Sequence, residues 1–218
     1  MTARMDVEQR EALMRLTEIP LALEPSELPA DVVQFLEEAD RRVRWFSERM
    51  PGLISGFIPS DFVAVYQTLR FIRDRHLTCG NSLCEWGSGL GVVAALATML
   101  GFDAYGIEIN PELLEASQQL AADFDLPTVL IQGSFVPPGS DHLLDRAFMD
   151  LEGGLKLHAE TDRAYEDLGL DVRDFDIIFT YPWPDDEPLI ARLFSKYASR
   201  GALLLTYHDS KPMRLRRK

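Results

Sequence analysis

The sequence predicts an α/β protein: a doubly wound parallel sheet of about five to seven strands, preceded by a helical N-terminal extension. Two observations predict it. From about residue 81 onward, short apolar runs alternate with longer runs whose apolar residues recur at helical spacing. Strands joined by helical crossovers build parallel sheets. The second observation is "CEWGSGLGVVAALATML", residues 84–100, where three glycines stand between a strand-like and a helix-like stretch. Glycine tolerates positive φ and lets a ligand or a second backbone approach closely.

The elements follow in order. "DVVQFLEEADRRVRWFSERM" puts Val32, Phe35, Leu36, Ala39, Val43 and Phe46 on one helical stripe, and Pro51-Gly52 stops it. A second helix begins near "IPSDF", with Ser60 as the cap and Phe62, Val65, Leu69 and Ile72 on one face. "NSLCEW" is a strand, followed by the glycine turn and a helix to about Leu100. "AYGIEI" is the next strand, and Pro111 opens the helix "PELLEASQQLAADF" at the turn where proline is favoured. "TVLIQG", "DFDIIFTY" and "GALLLTYH" are further strands, with the helix "EPLIARLFSKYASR" before the last. The chain divides into a helical extension over 1–56 and an α/β domain over 57–218. An insertion at about 136–173 is expected over the carboxyl ends of the strands, where ligands bind in open α/β sheets.

Composition bounds the function. Of 218 residues, 46% are hydrophobic and 26% charged, as in ordinary soluble domains. The charged start "MTARMDVEQR" lacks a signal-peptide core, and no apolar run is long enough to span a bilayer, so a cytoplasmic location is expected. A net charge of −13 argues against a nucleic-acid surface. The tail "KPMRLRRK" runs against that charge and is expected to be a solvated, frayed end. Cys79 and Cys84 are too few for a zinc site and read as reduced, structural thiols.

The glycine turn narrows the ligand. Its spacing, Gly87-Ser88-Gly89-Leu90-Gly91, brings the third glycine one residue early for a dinucleotide fingerprint. Glu85 before it would crowd a pyrophosphate but suits a cationic ligand. Glu108 ends the next strand, where a carboxylate can accept both hydroxyls of a ribose. With "EWGSGLG" and "GIEIN" together, residues 57–208 resemble the class I S-adenosylmethionine-dependent methyltransferases, which have a Rossmann-like sheet. The resemblance implies S-adenosyl-L-methionine as cofactor. It implies that Glu85 orients the cofactor's amino-acid end and that Gly87, Ser88, Gly89 and Gly91 make room for it. Glu108 would hold the ribose and Ile109 would pack on the adenine. Family members often carry an acid after the third strand for the adenine amino group. Here "QGSF" places Ser134 and Phe135 at that point.

"TYPWP", residues 180–184, lacks the Asp or Asn with which amino-methylating relatives hold a planar amine, so adenine methylation is discounted. "GFIPSDFVAVYQTLRFI" is similar to the segment before the glycine motif in Dot1-like protein-lysine methyltransferases and their small relatives. The acceptor implied is a protein side chain, with lysine one possibility, or a small molecule. Tyr181 and His208, with Tyr207, lie at strand ends that would line its site, His208 as a proton acceptor. The other readings are a non-catalytic cofactor-binding protein that docks through the basic tail and, third, a nicotinamide-dependent oxidoreductase. The family sheet usually ends in a two-stranded hairpin, for which "DSKPMRLRRK" is too short. Either the sheet is cut short or its edge is covered by another chain, as in a homodimer, or by the N-terminal helices.

Overall fold

A computed structural model describes residues 16–24, 26–49, 61–140, 163–182, 186–208 and 213–218. It contains strand β1 (Thr17–Ile19), helix α1 (Ala30–Arg49), α2 (Phe62–Asp74), β2 (Ser82–Trp86), α3 (Val92–Met99) and β3 (Asp103–Glu108). Then come α4 (Pro111–Asp123), β4 (Val129–Gln132), α5 (Ala164–Leu168), a 3₁₀ turn (Val172–Asp174), β5 (Ile177–Thr180), α6 (Glu187–Tyr197), β6 (Leu203–Tyr207) and β7 (Met213–Arg217). The seven strands form one sheet in the order β1-β7-β6-β5-β2-β3-β4. Strands β2 to β6 run parallel, as the alternating pattern predicts, and β7 is antiparallel to both its neighbours. Of the expected insertion, residues 141–162 lie outside the described residues; the rest holds α5 and the 3₁₀ turn.

The sheet is covered on both faces, which explains its near-continuous apolar strands. Alternate residues of one strand serve opposite layers. Leu83, Ile177, Phe179, Leu203 and Leu205 join the core under α1 to α4, while Cys84, Trp86, Ile178 and Leu204 join the core under α5 and α6. Helix α1 buries Val32, Phe35, Ala39, Val43 and Phe46, the stripe read from its sequence, with Leu36 packed beside it. Helix α2 buries Val65, Leu69 and Ile72. Its cap is Asp61, whose Oδ1 accepts the Ala64 amide at 3.0 Å; the expected cap, Ser60, lies outside the described residues.

The ends of the chain correct two expectations. The basic tail is not frayed: Met213–Arg217 pairs residue by residue with β6, and β1 pairs in turn with β7. The outermost position is thus filled by a strand from the N-terminal region, not by helices or a second hairpin strand. Side chains bind these strands to the layer behind them. Leu215 is fully buried, and the Arg217 Nη2 donates to the Leu77 carbonyl at 2.8 Å. The Glu187 Oε1, in the first turn of α6, lies 2.6 Å from the Arg214 Nη1 and 3.1 Å from the Arg216 Nη1. Arg214 also reaches the Glu18 Oε2 of β1 at 3.2 Å. Arg216 is 1% exposed, and its Nε and Nη2 have no hydrogen-bond partner. At the other edge of the sheet, the Gln118 Nε2 of α4 donates to the Leu130 carbonyl of β4 at 3.1 Å.

Candidate functional site

The strand order reverses between β2 and β5, and such a switch point leaves a crevice at the carboxyl ends of the strands. The glycine turn lies there, between β2 and α3. The Gly87 and Ser88 amides both donate to the Ile107 carbonyl at 3.0 Å, tying the turn to the end of β3. Two glycines are required for different reasons. Gly91 has φ +66°, and a Cβ there would sit 3.1 Å from the Leu130 Cδ2 and 3.2 Å from the Ser117 Cβ. Gly87 has φ +71°, and a Cβ there would meet nothing within 4 Å: this glycine opens onto free space.

Because Gly91 occupies the N-cap of α3, the helix has no side-chain cap of its own. Glu85 supplies one from β2. Its Oε2 accepts the Ala94 amide at 2.9 Å, with a further contribution from the Val93 amide. Glu85 is 5% exposed, and burial, reinforced by the charge of Glu108, raises its pKa to about 8. The positive end of α3 is therefore occupied by this chain's own carboxyl group. A pyrophosphate would have to displace it.

Glu108 sits at the end of β3, as read from the sequence. Its Oε2 accepts the Gly89 amide at 2.6 Å and its Oε1 the Asn110 amide at 2.9 Å. Burial raises its pKa against the pull of these amides. A carboxylate has about four acceptor positions, so both oxygens retain capacity for hydroxyl donors. Next to it Ile109 is 40% exposed, and Asn110 then caps α4. Across the crevice Ser134 is 3% exposed, and its Oγ accepts the Val136 amide at 3.1 Å. Phe135 stacks on Trp86 with ring centroids 5.3 Å apart and planes at 12°. The Tyr165 hydroxyl donates to the Phe135 carbonyl at 2.6 Å. Ser88 is 3% exposed, and its Oγ has no hydrogen-bond partner.

At the ends of β5 and β6 the Tyr181 and Tyr207 rings meet edge to face, 5.0 Å apart at 75°. The Thr180 hydroxyl donates to the Trp86 carbonyl at 3.1 Å, so this group faces β2. The His208 Nε2 pairs with the Thr206 Oγ1 at 2.9 Å. Trp183 lies outside the described residues.

The structure thus gathers Glu85, Gly87, Ser88, Gly89, Gly91, Glu108, Ile109, Ser134 and Phe135 around the ends of β2, β3 and β4. Tyr181 and His208 stand at the ends of β5 and β6. Tyr165 and the Trp86–Phe135 stack were not read from the sequence. No local motif marks them, because the partners are 30 or more residues apart or on different elements. Among the described residues no group of three or more His, Cys, Asp or Glu is placed to hold a metal ion. No described helix is long and apolar enough to cross a membrane.

No family model matches the chain. A ribosomal protein L11 methyltransferase from Cupriavidus pinatubonensis is 33% identical over 69 residues, which are 28% of this chain and 23% of that protein. The match therefore spans less than a quarter of that relative's length. An O-methyltransferase from Bacillus cereus, solved in complex with SAH, superposes with a TM-score of 0.50 at 12% identity, over 85% of this chain and 68% of that one. A methyltransferase from Geobacter sulfurreducens gives 0.48 at 14% identity, over 89% and 92%. The parallel sheet, with β7 antiparallel to both its neighbours, and the Bacillus likeness together show that this chain has the fold of the class I methyltransferases.

Proposed function

We propose that the protein is a methyltransferase that uses S-adenosyl-L-methionine and methylates a protein side chain or a small molecule. One observation carries the cofactor reading: Glu85 caps the N-terminus of α3 from within. A dinucleotide needs that helix end for its phosphates. A ligand with no phosphate and with positive charge does not, and such a charge would favour the ionised forms of the buried Glu85 and Glu108, whose pKa values are raised without it. The residues present fit such a ligand. Gly87 leaves open space at the turn, Glu108 has acceptor capacity for a ribose, and Ile109 offers an exposed apolar flank. When bound, the cofactor supplies a methyl group on a sulfonium, ready for in-line transfer to a nucleophile.

The chain's contribution is then alignment and exclusion of water, which can supply most of such a reaction. The finer reading is an amine acceptor, with lysine its protein form. Support comes from the Tyr181–Tyr207 pair, whose ring faces attract ammonium groups, and from the net charge of −13. An ammonium must lose its proton first. From a reference pKa near 10.4 this costs roughly 4.6 kcal/mol at pH 7. We assign the acceptance of that proton to His208, which follows β6 at the same strand ends.

The test is calorimetric titration with S-adenosylmethionine, S-adenosylhomocysteine and NAD, followed by transfer of a labelled methyl group. Binding of the first two alone is expected. Binding of NAD alone would overturn the reading of the glycine turn; binding without release of S-adenosylhomocysteine in any acceptor screen would make the protein a non-catalytic binder.

A further inference from the structure

We infer that cofactor binding at this site is an exchange of cations: the empty site holds a proton on the buried carboxyl group of Glu85, and the ammonium of the cofactor's amino-acid end displaces that proton to solvent. The inference rests on the cofactor reading above and adds to it a pH dependence of occupancy.

Two carboxyl groups meet one glycine turn. Glu108, at the end of β3, accepts the Gly89 amide inside the turn at 2.6 Å, and Glu85, at the end of β2, accepts the Ala94 amide just beyond it at 2.9 Å. Glu85 is 5% exposed and Glu108 6%, so both are nearly out of water without being sealed off. A carboxylate in such a place is costly unless a cation stands beside it. None does among the described residues: what acts on the two is burial, main-chain amides and, on Glu85, the charge of Glu108.

The elements packed around Glu85 supply no compensating charge. Helix α3 (Val92–Met99) and strand β5 (Ile177–Thr180) carry no titratable side chain. On β2 itself stands Cys84, a thiol pushed up by burial and by Glu85. On β3 Glu108 adds charge of the same sign, while Tyr105 turns to the opposite layer against Phe175. Helix α1 meets this core through Val32, Phe35, Ala39, Val43 and Phe46. Helix α2 buries the Tyr66 phenol, and the charges acting there are Arg70, Arg73, Asp31 and Asp74. Glu85 is accordingly raised to about 8, and near neutral pH the empty site keeps its proton. A cation within about 4–6 Å favours the ionised form and reverses that balance. Ribose hydroxyls at Glu108 are neutral, so Glu85 is the group that gains a counter-charge. Its O–H bond breaks and the proton passes to the buffer.

The probes are S-adenosylhomocysteine, which carries the amino-acid end, and 5′-methylthioadenosine, which keeps base and ribose without it. Both are titrated into the intact protein by calorimetry at pH 6.5, in buffers of different ionisation enthalpy. The slope of the observed heat against that enthalpy counts the protons released. S-adenosylhomocysteine is expected to release about half to one proton, and 5′-methylthioadenosine none. From pH 6 to 7.5 the affinity for S-adenosylhomocysteine should rise by about three- to tenfold per unit, while that for 5′-methylthioadenosine stays flat. The range stops there because an α-amino group itself loses its proton near pH 8. Glu85→Gln has no proton to give up and should show neither the release nor the slope. S-adenosylhomocysteine binding with less than about a fifth of a proton released and a flat affinity would overturn the inference. Release that persists in Glu85→Gln, or that 5′-methylthioadenosine also produces, would overturn it by placing the exchange elsewhere. If neither ligand binds the parent protein, the cofactor reading itself has failed and this inference goes with it.

Discussion

Replacing Glu85 by Gln tests whether this buried acid is held protonated in the fold. An acid raised to about 8 in the folded protein, from an ordinary value of 4.5, binds its proton more tightly folded than unfolded. Its contribution to stability is therefore fully present below about pH 4.5 and is lost as pH rises to about 8. At about 1.36 kcal/mol per pH unit, that interval corresponds to a ceiling of about 5 kcal/mol. Glutamine is neutral at every pH, has nearly the same shape, and its amide oxygen can still accept the Ala94 amide. Glu85→Gln should therefore match the parent within about 1 kcal/mol at pH 5 and become the more stable protein by several kcal/mol at pH 9. Urea unfolding of both proteins at pH 5, 6, 7, 8 and 9 measures this directly, with m checked for constancy. Titrating groups remote from Glu85 are common to both proteins and cancel in the difference, while Glu108, whose charge contributes to the shift, is part of the effect measured. Parallel stability curves across that range would refute the argument, and Glu85 would then be an ordinary ionised acid.

Other outcomes are equally specific. Arg216→Met should be neutral or stabilising by about 1–4 kcal/mol, because it removes a desolvated guanidinium with unpartnered donors, whereas Glu187→Ala should cost about 3–5 kcal/mol by leaving that charge uncompensated; denaturant midpoints decide. Glu108→Gln should fold yet bind S-adenosylhomocysteine at least about tenfold more weakly, since charge-assisted hydrogen bonds are lost from the ribose. Gly91→Ala should destabilise the protein by more than about 1 kcal/mol, from a strained φ and a crowded Cβ, while Gly87→Ala, with open space around it, should cost less in stability and more in cofactor affinity. Leu215→Ala should cost about 2–5 kcal/mol, the measure of a tail that is core.

Much of this was legible in the sequence because it is local. The five parallel strands are apolar runs in their own right, and Asn110 followed by Pro111 announces the start of α4 without help from the rest of the chain. The two outer strands are different. "TEI" is three residues long, and "MRLRR" shows one buried aliphatic side chain among charges. Neither has a period of its own to read. Both become strands because β6 offers an unpaired edge, and the arginines are tolerated there because Glu187 and Glu18 stand opposite. At the site, the residue types at Glu85 and Glu108 were readable from spacing. That Glu85 caps a helix beginning seven positions later was not, since it depends on the side chain crossing the turn in space. Ser134 likewise kept its place but spends its hydroxyl inside its own turn, a choice that residue identity alone does not determine.

The pairing of Thr17 with Arg217 has a consequence for the order of assembly. Nearly the whole chain must close as a loop before this contact forms, and contacts of such long sequence separation form slowly. During synthesis the residues of β1 leave the ribosome early and wait, without a partner, until β7 has emerged. Because β6 is made only just before β7, the strand left unpaired through that interval is β1, open to mispairing with another nascent chain. Among the described strands β1 is made first and β7 last, so their pairing comes late in folding, and it is the step at which a chaperone would have the most to protect.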